Sequence, residues 1–133
     1  MIYPDAINWF EIPSENFDRA VTFYSALYDT ELSTTQMDVG GELPMPMAMI
    51  PRGESNGQKG VGGAVIYLPD HKPGTKGPLL YLNGGEDLQV MLDRVVPAGG
   101  QILVPKTLIA EDIGYMAIFI DSEGNHMALH SDH

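Results

Sequence analysis

Residues 8–24, NWFEIPSENFDRAVTFY, hold a strand, a break and a helix in succession. Over 7–12 the side chains alternate, with Ile7, Trp9 and Glu11 on one side and Asn8, Phe10 and Ile12 on the other. That is the period of an extended strand. Pro13 has no amide to offer a ladder and ends it. Ser14 or Asn16 then supplies a helix cap, since a short side-chain oxygen can accept one of the first unpaired amides. Phe17, Ala20, Val21, Tyr24, Leu27 and Tyr28 recur at three and four residues and form one apolar helical stripe.

Downstream, 32–39 reads as a strand. In 43–50 (LPMPMAMI) the residues Met45, Met47 and Met49 share one face of any extended segment, while Pro44 and Pro46 share the other. Two prolines at that spacing place the segment at a sheet edge. The stretch 51–60 (PRGESNGQKG) is polar and glycine-rich and reads as a mobile loop; 62–68 (GGAVIYL) is a strand. A linker-like stretch, 70–77 (DHKPGTKG), follows. Beyond it come a strand at 79–83 and a helix at 86–96 with Leu88, Met91, Leu92, Val95 and Val96 apolar, stopped by Pro97-Ala98-Gly99-Gly100. Strands at 101–109 and 113–120 meet at a turn around Glu111 and Asp112, and a tight turn at 121–125 leads to a last strand at 126–130. Both halves therefore run strand, helix, strand, strand, strand, the mark of an internal duplication.

The 133 residues suit one domain, 1–133, with a first module at about 5–69, a linker at about 70–77 and a second module at about 78–131. Seven Lys and Arg against eighteen Asp and Glu give a net charge of −11. Such a charge opposes binding to phosphate backbones and anionic lipid, so nucleic-acid and membrane partners are not expected. There is no cysteine, which removes thiolate chemistry, disulfides and Cys-held metals. No apolar run of about 18 residues is present, and Met1-Ile2-Tyr3-Pro4-Asp5 lacks a signal-peptide layout, so a cytoplasmic location is expected.

Three segments carry a resemblance to the vicinal oxygen chelate superfamily, which includes glyoxalase I, bleomycin-resistance proteins and extradiol dioxygenases. They are 8–24, quoted above; 87–100 with 102–105, a helix leaving through Gly-Gly into a Val/Pro-bearing strand; and 114–129 (GYMAIFIDSEGNHMAL), a strand, an Asp-x-x-Gly-Asn turn and a final strand. The resemblance implies an α+β fold of two βαβββ modules, forming a curved mixed sheet around a central cleft. It also implies a homodimer whose cleft and interface are closely related. The metal positions of the family fall on Trp9, near Ile66, at about Leu79 and on Ala128. An indole and three hydrocarbon side chains coordinate no divalent ion, so no metal ligand and no cofactor is expected. Glyoxalase and dioxygenase chemistry, which uses the ion, loses its basis with them.

Individual residues leave alternatives open. Trp9 either fills the space of a lost ion or forms a rigid aromatic wall. Glu11, on the same side, is either a solvated carboxylate or a base in a partly dry cleft. Tyr81 and Tyr115 could line the cleft or pack. His126 and His130 share a strand face with Ala128, yet an i,i+4 spacing in a strand separates them by about 13 Å. Met37, Met45, Met47, Met49 and Met116 offer either a soft binding wall or core filling. Arg52 and Lys59 flank the 51–60 loop and either keep it soluble or attract an anionic ligand. Gly40-Gly41, Gly62-Gly63 and Gly99-Gly100 lack the context of a phosphate loop.

The function expected from these residues is metal-free binding of a small, largely apolar or aromatic molecule in the inter-module cleft. Trp9, Met47, Arg52, Tyr81, Tyr115 and Ala128 are the binding candidates, and the second partner is another copy of the chain. One alternative is a metal-independent lyase or isomerase using Glu11, Tyr81 or His126. Another is a non-catalytic regulatory or structural dimer.

Overall fold

The computed structural model describes residues 1–37 and 44–133. The end of the predicted 32–39 strand, Gly40-Gly41, Leu43 and the side chain of Met37 lie outside the described residues. The element order is β1 (Trp9–Pro13), α1 (Phe17–Tyr28), β2 (Thr34–Met37), β3 (Met45–Met49), β4 (Glu54–Ser55), β5 (Gln58–Lys59), β6 (Gly62–Ile66), β7 (Leu80–Asn83), α2 (Gln89–Val95), β8 (Gln101–Ala110), β9 (Gly114–Ile120) and β10 (His126–Ser131). Two four-stranded sheets form, in the orders β1-β6-β3-β2 and β7-β10-β9-β8. In each the first strand lies parallel to the last, and the remaining neighbours are antiparallel. The order is the same in both halves, so the duplication read from the sequence is one of topology.

Asn16 caps α1, its side chain accepting from the Arg19 amide at 3.0 Å. Asp29 ends the helix at φ 51°, a left-handed conformation that a short polar residue tolerates. Gly99 ends the α2 region at φ 108°, and Gly100 follows in a tight place where a Cβ would meet the Ile120 carbonyl at 2.6 Å and Phe23 at 2.8 Å.

The helix stripe is wider than predicted. Phe23 lies off the expected face yet is fully buried, because α1 packs on its own sheet and on the second half together. The Phe23 ring stands 6.2 Å from that of Phe119 in β9. One core therefore runs through both halves, joining Ile12, Ala48 and Val65 to Leu82, Phe119 and Leu129 through the two helices.

Two expectations are corrected. The Met-Pro segment is an inner strand, with β6 on one side and β2 on the other. Pairing with β6 begins only at Met47, so Pro44 and Pro46 sit at the end of the segment where that side of the ladder has not yet formed. The 51–60 loop contains a hairpin, β4 with β5, turned by Asn56 (φ 53°) and Gly57 (φ 76°). Both central residues have positive φ, which matches the Asn-Gly signature of a two-residue hairpin turn.

Candidate functional site

Two grooves meet along the segment Ile50-Pro51-Arg52, which lines both. The larger, about 1050 Å³, lies between the halves. Phe10 from β1, Tyr28 from α1 and the Ile50–Gly53 stretch form its first wall; β7 and the start of α2, with Val90 and Met91, form the second. The strands β1 and β7 are each the last in their sheet, so the groove runs past two sheet edges. The smaller, about 460 Å³, is lined by Trp9, Met49, Gly62 and the chain that leaves α1 at Thr30–Ser33.

The first wall owes its shape to two glycines. A Cβ at Gly63 would strike the Phe10 ring at 2.6 Å, so the bare backbone lets that ring lie flat against β6. A Cβ at Gly62 would meet the Arg52 stem at 2.8 Å, so the arginine rests against the neighbouring glycine in the same way. The Arg52 Nη1 donates to the Gly60 carbonyl at 3.2 Å, tying it to the hairpin base. Tyr28 closes the wall from the last turn of α1. Burial pushes its phenol up to about 12, so the hydroxyl keeps its proton and remains a donor.

On the second wall, the Asp87 carboxylate accepts from Lys106 at 2.8 Å and from the Gln89 amide at 2.9 Å. Lys106, followed by the Gln89 amide, holds it below its ordinary value. Ser131 Oγ accepts from the Leu88 amide at 2.9 Å, so the start of α2 is met by side chains from both β10 and its own approach.

The candidate residues distribute unevenly over this geometry. Arg52 lines both grooves, Tyr81 the larger and Trp9 the smaller, so the Ile50–Arg52 segment separates the two aromatic side chains. Met47 is 3 % exposed, sealed with Met45, Ala64 and Ile66 in a second apolar cluster. Of the methionines on that strand, Met49 reaches a groove. Ala128 is fully buried opposite Tyr81 in the β7–β10 register. Tyr115 packs against the main core with the Lys106 ammonium 4.5 Å from its ring centroid. Glu11 accepts from Trp9 Nε1 at 3.4 Å and lines neither groove, and His126 lines neither. His130 Nε2 lies 2.7 Å from the Ile113 carbonyl oxygen. Glu11, Tyr81 and His126 are thus not gathered around one space. Phe10 and Tyr28 are groove residues that the sequence reading assigned to strand packing and the helical stripe; nothing in their spacing separates a groove wall from a core.

The positions at which the family resemblance would put metal ligands carry an indole and hydrocarbon side chains, and such a donor set does not fit a divalent ion. Among the described residues, no three His, Asp or Glu come together in a metal-holding group. No helix among them is long and apolar enough to cross a membrane.

Two βαβββ modules, each with its first strand parallel to its last and sharing a core through their helices, constitute the fold of the vicinal oxygen chelate superfamily, the glyoxalase and bleomycin-resistance class. Similar solved structures include an antibiotic-binding protein from Streptomyces sp. CB03234, 19 % identical, with 98 % of each chain covered and a TM-score of 0.62. A glyoxalase/bleomycin resistance protein from the same strain is 21 % identical over 92 % of this chain and 97 % of that one, with a TM-score of 0.60. A glyoxalase I mutant from Zea mays is 16 % identical over 97 % of this chain and 47 % of that one, with a TM-score of 0.62. This chain thus spans about half the length of the maize enzyme. At these identities the likeness is one of fold. No protein-family model and no curated protein matches the chain.

Proposed function

We propose that this protein binds a small, largely apolar or aromatic molecule in the groove between its two halves, acting in the cytoplasm as a homodimer. The observation that carries this reading is the inter-module groove of about 1050 Å³, walled by Phe10, Tyr28, Tyr81, Val90 and Met91. A concave, mostly apolar site with a few placed polar groups is what a small-molecule ligand needs, and its size is ample for one. The Streptomyces antibiotic-binding protein supports the reading as a neighbour in fold. The dimer is supported by exposed apolar side chains on β8 and the following turn, namely Ile102, Leu103, Leu108, Ile109 and Ile113. Exposed apolar side chains in that number are costly to leave in water.

Native mass spectrometry of untagged protein, purified without chelator, tests this together with titration of the neutral fluorescent probe N-phenyl-1-naphthylamine. The expected result is a dimer, with saturable probe uptake or a co-purified small molecule. A stoichiometric divalent ion in each subunit, or a chain that takes up no probe saturably, overturns it.

A further inference from the structure

Arg52 is the basic side chain that lines both grooves. Arg19, Lys72, Arg94 and Lys106 each stand within 4.0 Å of a carboxylate, at Glu123, Glu15, Asp29 and Asp87. Among the described residues Arg52 has no such partner. Its one hydrogen bond among the described residues is the 3.2 Å contact with the Gly60 carbonyl, which uses one of the five guanidinium N–H donors. Its stem is seated against the bare Cα of Gly62, so the charge is held at the junction of the grooves. The Tyr28 hydroxyl, on the same wall, likewise has no hydrogen-bond partner among the described residues. The opposite wall carries Glu86, and the Asp87 charge there is taken up by Lys106.

From this arrangement we infer that the larger groove selects molecules bearing an anionic oxygen group on an apolar ring body, with the anion on Arg52 and a second oxygen accepting from Tyr28. The inference rests on the reading of this groove as the binding site and adds the charge and orientation of the guest. Glu86 repels the same group from the second wall, so the anion points to the first half and the ring lies along Phe10 and Tyr81. A guanidinium-to-anion contact is among the stronger hydrogen bonds, and loss of one is read easily as affinity.

Two probes with one ring system separate the inference from the reading beneath it. 8-Anilinonaphthalene-1-sulfonate carries the anion; N-phenyl-1-naphthylamine lacks it. Both are titrated into the intact protein with Trp9, its single tryptophan, as energy donor. The sulfonate is expected to bind at least several-fold more tightly. Arg52→Gln is expected to weaken the sulfonate about tenfold or more while changing the neutral probe less than about twofold. Tyr28→Phe is expected to weaken the sulfonate about threefold or more, and Gly62→Ala to weaken it by displacing the arginine stem. Equal affinity for the two probes, or an Arg52→Gln protein that holds both as before, overturns the inference and leaves the apolar groove standing. Saturable binding of neither probe overturns the reading itself.

Discussion

Asp121 is the residue on which the two halves converge. Its carboxylate accepts from the Tyr24 hydroxyl at 2.7 Å, from the Glu123 and Asn125 amides at 2.9 Å, and from Asn125 Nδ2 at 2.9 Å. Asn125 Nδ2 also donates to the Pro13 carbonyl at 2.8 Å, and its Oδ1 accepts from the Gly74 amide at 3.1 Å. Tyr24 is fully buried, and burial, reinforced by the Asp121 charge, pushes its phenol well above the ordinary tyrosine value. Asp121→Ala leaves a buried hydroxyl and two amides unpaired and is expected to cost about 3–5 kcal/mol in urea unfolding. Tyr24→Phe removes one donor and is expected to cost about 1–2 kcal/mol in the same assay. The sequence shows the Asp-x-x-Gly-Asn turn plainly. It does not show that Tyr24, 97 residues earlier, supplies a hydrogen bond to it, because the helical stripe accounts for that side chain as a hydrophobe.

The same turn completes an element of the other half. Glu123 accepts from the Glu15 and Asn16 amides at 2.9 and 2.7 Å and pairs with Arg19 at 2.7 Å, so a carboxylate from the second module caps the first helix. Negative charge at a helix N-terminus is favourable. Burial alone would raise the Glu123 carboxyl, but the Arg19 guanidinium, the Asn16 amide and the Ser122 hydroxyl outweigh it and hold the group below its ordinary value of 4.5. A value lowered on folding means that the unfolded chain binds more protons across that range. The Glu123 contribution is therefore complete above the unfolded value and is lost as pH falls through the lower folded one. Glu123→Gln is expected to cost about 1 kcal/mol at neutral pH. Its deficit against the parent should shrink as unfolding is measured at successively lower pH below about 4.5. At the end of α2, Gly100→Ala would press on Phe23 and the Ile120 carbonyl and is expected to cost about 1–3 kcal/mol by thermal or urea unfolding. Both helices and every strand of the two sheets were legible from period, caps and breakers. The inner place of β3 was not, because a proline reads locally as an edge and its tolerance depends on where a neighbour's pairing begins. The Asn56-Gly57 hairpin was legible in principle, its dipeptide hidden in a polar stretch.

For the whole molecule, the apolar side chains of β8 and a net charge of −11 act in opposite senses, one favouring association and the other opposing it. Pro105 and Lys106 within β8 hinder simple edge-to-edge extension of the sheet, so the proposed dimer would be held by side chains rather than by a new ladder. Leu108→Lys is expected to shift the protein toward monomer in sedimentation velocity, and raised salt to favour the dimer of the parent chain. Arg52 and Tyr81, binding candidates in the sequence as a loop-flanking cation and a strand-face aromatic, both line the larger groove. Phe10 and Tyr28 were not among those candidates, since a groove is a property of how the halves meet. The manner of that meeting also has a bearing on synthesis. The Glu123 cap and the Asn125 clasp on Pro13 come from a turn of the second module, made after the first, so the first module leaves the ribosome with its helix unfinished and one side of Phe23 uncovered. A nascent chain stalled before residue 121 should remain open to protease and chaperone, and its acquisition of resistance should come in one step when the closing turn emerges.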